Sequence, residues 1–131
     1  MRIQETEILG TKYKIIFANE DEVHDGKFPH LFGCYGILLS PLRTILIRDF
    51  DDELPLATDE EGGADNNFIP LRNSALRHEI LHAYFNECGL RFNASGTGDK
   101  SWSRNEEMVD WFACLSPKIF NTYSELGILN N

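Results

Sequence analysis

The chain is poor in cysteine, in basic residues and in long apolar runs. Its three cysteines, Cys34, Cys88 and Cys114, stand far apart with no Cys-x-x-Cys pair, which argues against a disulfide framework and fits reduced thiols in a cytoplasm. Lys and Arg number 12 against 21 Asp and Glu, for a formal net charge of -9. The summed field repels phosphate backbones and anionic lipid surfaces, so neither nucleic acid nor a membrane is an expected partner. No run approaches the roughly 18 apolar residues of a membrane span, and the opening MRIQETEILG has no apolar signal-peptide core. A cytoplasmic, soluble protein is the expectation. Internal repeats and low-complexity tracts are also missing.

What is present suits one folded domain spanning residues 1–131. Hydrophobic residues make up 42% and charged residues 25%, enough apolar side chain for a core. Tyr13, Ile15 and Phe17 alternate with Lys12, Lys14 and Ile16 after a turn at Leu9-Gly10-Thr11, which predicts a first hairpin. Residues 19–31, with Gly26 and Pro29, read as loop or weak helix. GCYGILLS and TILIRDF, separated by Ser40-Pro41-Leu42-Arg43, predict a second hairpin. The acidic stretch Asp49, Asp51, Asp52, Glu53, Asp59, Glu60, Glu61 and Asp65 reads as a solvated loop rather than a site, and residues 51–70 as a mobile loop.

From Leu71 to Cys88 the chain has good helix formers and no internal Pro or Gly, with Gly89 placed to end the helix in a left-handed conformation. A turn-rich connector covers 91–102. Ser103 then opens a second helix that Pro117 interrupts or ends, and a last helical segment runs through IFNTYSEL to Gly127.

The chemistry lies in the first of these helices, as His78-Glu79-Ile80-Leu81-His82. Histidines four residues apart share one helix face and can reach one metal ion. Glu79 lies about 100 degrees round from His78, where it can reach a water on the open side of the metal without being a ligand. The motif alone is only suggestive, because Arg77, His78, Glu79, His82 and Asn86 could also be the solvated stripe of an amphipathic helix. The downstream Asn105-Glu106-Glu107-Met108-Val109-Asp110 tips the balance. Glu106, 24 residues past His82, supplies a third ligand, and Asp110, four further on, accepts the outer N–H of a ligand histidine. Glu106 could instead close a capping box with Ser103, and Glu107 is the alternative ligand.

Other candidates are weaker. Cys88 stands where a metzincin has its third histidine, but Phe85 replaces that motif's glycine, and helical geometry favours Cys88 as core. His30 and Cys34 as a thiol site carry little information, and a buried structural Cys34 is the better reading. Trp102, Trp111, Phe112 and Phe120 read as an aromatic core group.

RHEILHAYFNECGL followed by WSRNEEMVDWFACLSPKIF resembles a family of small bacterial and prophage proteins with a zincin-like core, and GCYGILLSPLRTILIRDF looks like the strand pair before the metal helix in that group. The resemblance covers roughly residues 33–120. More distantly, Asn105, Glu106 and Asp110 match the Asn-Glu-x-x-x-Asp motif of gluzincins such as the thermolysin-like peptidases. The plan is also similar to that of the ImmA/IrrE-type peptidases. The resemblance implies a minimal α+β zincin-like fold, a small antiparallel or mixed sheet packed on a metal-binding helix and a glutamate helix. It also implies Zn2+ as cofactor and a peptide or protein substrate. The chain is much shorter than a secreted gluzincin and lacks a second lobe, so a deep cleft is not expected. No oxyanion-stabilising residue stands out; Tyr35, Arg77 and Tyr123 are the candidates. The expected chemistry is peptide-bond hydrolysis with zinc-activated water and Glu79 as general base, and the rival is a zinc-containing binding module without turnover.

Overall fold

The computed structural model describes residues 1–49, 68–91 and 101–129. Of the acidic stretch, Asp49 is described and is not simply solvated, since it accepts from Arg72 at 2.7 Å and lies 3.8 Å from Arg2; residues 51–67 and most of the connector read over 91–102 lie outside the described residues.

Both expected hairpins form. Strands β1 (Arg2–Ile8) and β2 (Thr11–Ala18) pair antiparallel from Arg2↔Phe17 to Ile8↔Thr11. Leu9 at φ 48° and Gly10 at φ 82° make the two-residue turn, since both positions of a type I′ turn need positive φ. Strands β3 (Gly36–Leu39) and β4 (Thr44–Arg48) pair antiparallel around a 3-10 turn at Ser40–Leu42. The two hairpins join through a parallel β2–β4 pairing, giving a mixed sheet of order β1-β2-β4-β3. Between them, Asn19 and Glu22 form a reciprocal capping box that starts helix α1 (Glu20–His24), and a 3-10 turn follows at Pro29–Leu31.

The sheet is covered on both faces, which is why Ile45, Leu46 and Ile47 of β4 are all buried. On one face Ile15, Phe17, Ile45 and Ile47 meet Ala75, Leu76 and Ile80 of helix α2 (Phe68–Glu87). On the other, Ala18 and Leu46 meet Val23 and Leu31. Helix α2 begins three residues before the expected Leu71, because Pro70 falls in the first turn, where no backbone N–H is needed. It ends as expected at Gly89, φ 77°, with the Leu90 N–H donating to the Phe85 carbonyl at 2.9 Å.

The end of α2 is tied to β2. The Tyr13 hydroxyl donates to Glu87 Oε1 at 2.6 Å, and the Thr11 hydroxyl donates to Oε2 at 3.1 Å. Burial, then the bond to Glu87 and its charge, pushes the Tyr13 phenol from 10.0 up to about 12. A raised folded-state value means that this contribution to stability is complete below pH 10 and is lost as pH rises towards 12. An alkaline denaturation series on the wild type should therefore lose on the order of 2 kcal/mol across that window. Tyr13→Phe should flatten that loss and cost roughly 1 kcal/mol at neutral pH. An unchanged alkaline slope in the variant would rule out this assignment.

Helix α3 (Glu106–Glu125) differs from expectation in three ways. It starts at Glu106, not Ser103: the Asn105 side chain accepts from the Met108 N–H at 3.0 Å, so the Ser103–Glu106 capping box does not form, and Ser103 lies in a 3-10 turn over Trp102–Arg104. Pro117 does not end it, so the two expected segments are one helix. Proline removes the N–H that the carbonyl of Ala113 would take four residues back, but the Arg77 Nε–H from α2 donates to that carbonyl at 3.0 Å. Finally, the aromatic group is not core. Trp102, Trp111 and Phe120 are all more than half exposed, and Phe112 is 36% exposed. The buried residues of α3 are Val109 and Ala113, small enough for close helix packing, whereas Trp102 and Phe112 meet Phe85 edge to face, Trp111 meets Phe112, and Phe120 meets Tyr123. Cys88 is likewise exposed, because it falls in the turn beyond α2 rather than on its buried face.

Candidate metal centre

His78 and His82 stand one turn apart on α2, with their Nε2 atoms 3.0 Å from each other. Glu106, the first residue of α3, reaches both: Oε2 lies 2.9 Å from His78 Nε2, and Oε1 lies 3.2 Å from His82 Nε2. With one ligand atom taken from each residue, the three atoms lie within 4.8 Å of one another, against about 3.3 Å for atoms bound at about 2.0 to 2.1 Å in tetrahedral directions. Among the described residues, His78, His82 and Glu106 are the group whose ligand atoms could hold a metal ion. Glu107 is exposed and is not part of it.

The outer nitrogens decide the chemistry of the inner ones. His78 Nδ1 lies 2.7 Å from Asp110 Oδ1, as the spacing of Glu106 and Asp110 predicts. His82 Nδ1 meets the backbone carbonyl of Ser103. A carboxylate and a carbonyl only accept, so each Nδ1 presents a proton to its partner, and Nε2 is the ring atom turned toward Glu106. With Nε2 unprotonated, two lone pairs and a carboxylate would face one point, a donor set that a divalent cation such as zinc accepts.

Glu79 lies beside this group but outside it. It is 7% exposed, and Oε1 is 3.9 Å from His78 Nε2. Burial pushes its carboxyl up to about 7; the His82 ring and a hydrogen bond from the Leu38 N–H oppose the rise, and the Glu106 charge adds to it. That hydrogen bond follows from the phase of β3. The Tyr35 carbonyl accepts from the Arg48 N–H at 2.9 Å, so by alternation Gly36 and Leu38 turn their backbone groups to the free edge of the sheet. Gly36 is also required for space: a Cβ there would stand 2.8 Å from Ile47 Cδ1 and 3.1 Å from Glu79 Cγ.

Although a deep cleft was not expected, a cleft of about 1100 Å³ runs along β3 and α2. Its lining includes Ser103, Arg104, Glu106 and Asp110 from the segment that opens α3. Of the oxyanion candidates, Tyr35 lines this cleft, 49% exposed. Arg77 does not line it and is engaged with Ala113, and Tyr123 is an exposed residue near the far end of α3, outside the lining. Cys34 is half-buried on the cleft wall, its thiol donating to the His30 carbonyl at 3.2 Å.

Sequence reasoning missed the Ser103 carbonyl, because a backbone acceptor has no residue-type signature. It also missed the role of Arg77, for which Pro117 was the available signal. Among the described residues no helix is long and apolar enough to cross a membrane. Comparison with protein-family models, with curated proteins and with solved structures found no match.

Proposed function

We propose that this chain is a small zinc-dependent peptidase of zincin type. The observation that carries the reading is the convergence of His78, His82 and Glu106 on one point, with the buried carboxylate of Glu79 next to them but bound to none. A site built only to hold a metal has no use for a buried acid at that position, and a hydrolase needs one.

His78, His82 and Glu106 would hold the ion, and Asp110 and the Ser103 carbonyl would keep both rings turned toward it. Zinc, when bound, supplies Lewis-acid polarisation of a carbonyl and an acidified water. Glu79 takes the proton of the attacking water and returns it to the departing amine. The Leu38 N–H steadies the ionised carboxylate for the first step. An extended peptide would run along the edge of β3 beside Glu79, donating to the outward carbonyls of Gly36 and Leu38, whose N–H groups are engaged with Cys34 and Glu79. Of the three oxyanion candidates, Tyr35 is the one on the cleft wall.

The test is direct. The zinc-loaded chain is incubated with an unstructured protein and with a mixed peptide pool, and new termini are read by mass spectrometry. Cleavage should appear with zinc, cease when a chelator strips the metal, and return on zinc addition. Zinc at one per chain with no cleavage of any substrate, including cell-extract peptides, would instead leave a metal-holding binding module.

A further inference from the structure

We propose that Arg77 is a positioning residue for this centre: its bond to the Ala113 carbonyl sets the place of α3 along α2 at which Glu106 and Asp110 meet the two histidines. The proposal rests on the metal reading above.

The argument starts from Pro117. Inside α3 it leaves the Ala113 carbonyl without its intrahelical donor, and Ala113 is 2% exposed, so solvent has little access to replace it. Arg77 fills that gap from the neighbouring helix, Nε at 3.0 Å. Its place in both helices matters. Arg77 immediately precedes His78, and Ala113 is three residues past Asp110 and seven past Glu106, so these α3 residues share one stripe. Pinning Ala113 beside Arg77 therefore fixes Asp110 and Glu106 relative to His78.

Directional bonds hold the chain on both sides of Glu106 and Asp110: before them Ser103 donates to the Leu90 carbonyl at 3.1 Å and accepts from His82 Nδ1, and after them Arg77 holds Ala113. Val109 and Ala113 bury apolar surface, which resists separation of the helices but not sliding. Among the described residues, the other hydrogen bonds and ion pairs between α2 and α3 belong to the centre itself, His78 with Asp110 and both histidines with Glu106. A slip of one residue moves a side chain by about 1.5 Å and 100 degrees, whereas ligation tolerates about 0.2 Å. The pin thus acts on metal affinity through geometry. Its charge works the other way, since a nearby guanidinium repels a divalent cation; loss of charge alone would strengthen binding.

Wild type, Arg77→Ala, Pro117→Ala and the double variant separate positioning from mere satisfaction of a buried carbonyl. Zinc affinity is read by chelator competition, ligand geometry by the visible spectrum of the cobalt-substituted protein, and fold by thermal melting without metal. Arg77→Ala should bind zinc about tenfold to a hundredfold more weakly and alter the cobalt bands. In the double variant the restored N–H at 117 satisfies the Ala113 carbonyl, so the melting temperature should recover while zinc affinity stays low. Pro117→Ala alone, keeping Arg77, should bind zinc like the wild type. Full recovery of affinity and cobalt spectrum in the double variant would overturn the proposal, as would an Arg77→Ala protein that binds like the wild type. Because the double variant restores the helix bond, it remains informative even if the single variant fails to fold. Absence of zinc binding in the wild type would instead strike the metal reading first.

Discussion

Glu79→Gln is expected to keep zinc at one per chain and to lose about three orders of magnitude in turnover number, within the range that a positioned general base contributes. Glutamine has the size of glutamate, and its carbonyl can still accept from the Leu38 N–H, so the packing over Gly36 is retained. It cannot take a proton. Stability should not fall, because the change removes an acid whose charged form is disfavoured by burial. The loss should appear in kcat with KM little changed, since the proposed role of Glu79 is toward the reacting water rather than toward peptide binding. Metal content by elemental analysis and steady-state rates on one cleaved peptide check both halves. A variant that cleaves at the wild-type rate would remove Glu79 from the mechanism.

The second large effect is at Glu106. Glu106→Ala should weaken zinc binding at least about 100-fold, beyond the cost of losing an outer hydrogen-bonding partner, because only two imidazoles would remain of the three proposed ligands. Its side chain is 66% exposed, so metal-free stability should stay within about 0.5 kcal/mol. Glu107→Ala, one residue along and exposed, should bind zinc as the wild type does. Chelator competition on the two variants decides between the carboxylates. Loss of affinity in Glu107→Ala with none in Glu106→Ala would show that the ligand was misassigned.

Much of the centre was legible because its parts are local. The four-residue spacing of His78 and His82 and of Glu106 and Asp110 has a fixed meaning once each segment is helical, and the composition of each segment predicts that. The hairpins were legible for the same reason, since alternation and a Leu9-Gly10 turn act over a few residues. The errors share a different cause. Ser103 looked like a cap, but Asn105 lies closer to the first helical turn and took the role. Pro117 looked like a stop, but its cost depends on whether the orphaned carbonyl finds another donor, and Arg77 lies 36 residues away in sequence. Trp111 and Phe120 looked like core because of their residue type, yet burial depends on what packs over them.

The sequence by itself determined which side chains could form a metal-binding group, on which helices, and with what spacing, because helical periodicity turns residue number into direction. Only the tertiary structure decided that the two helices meet at one point, that a Ser103 carbonyl orients His82, that β3 lies at the sheet edge with Leu38 beside Glu79, and that a cleft opens there. These depend on contacts between segments tens of residues apart, and such contacts are set by the packing of whole faces, which no short stretch of sequence encodes.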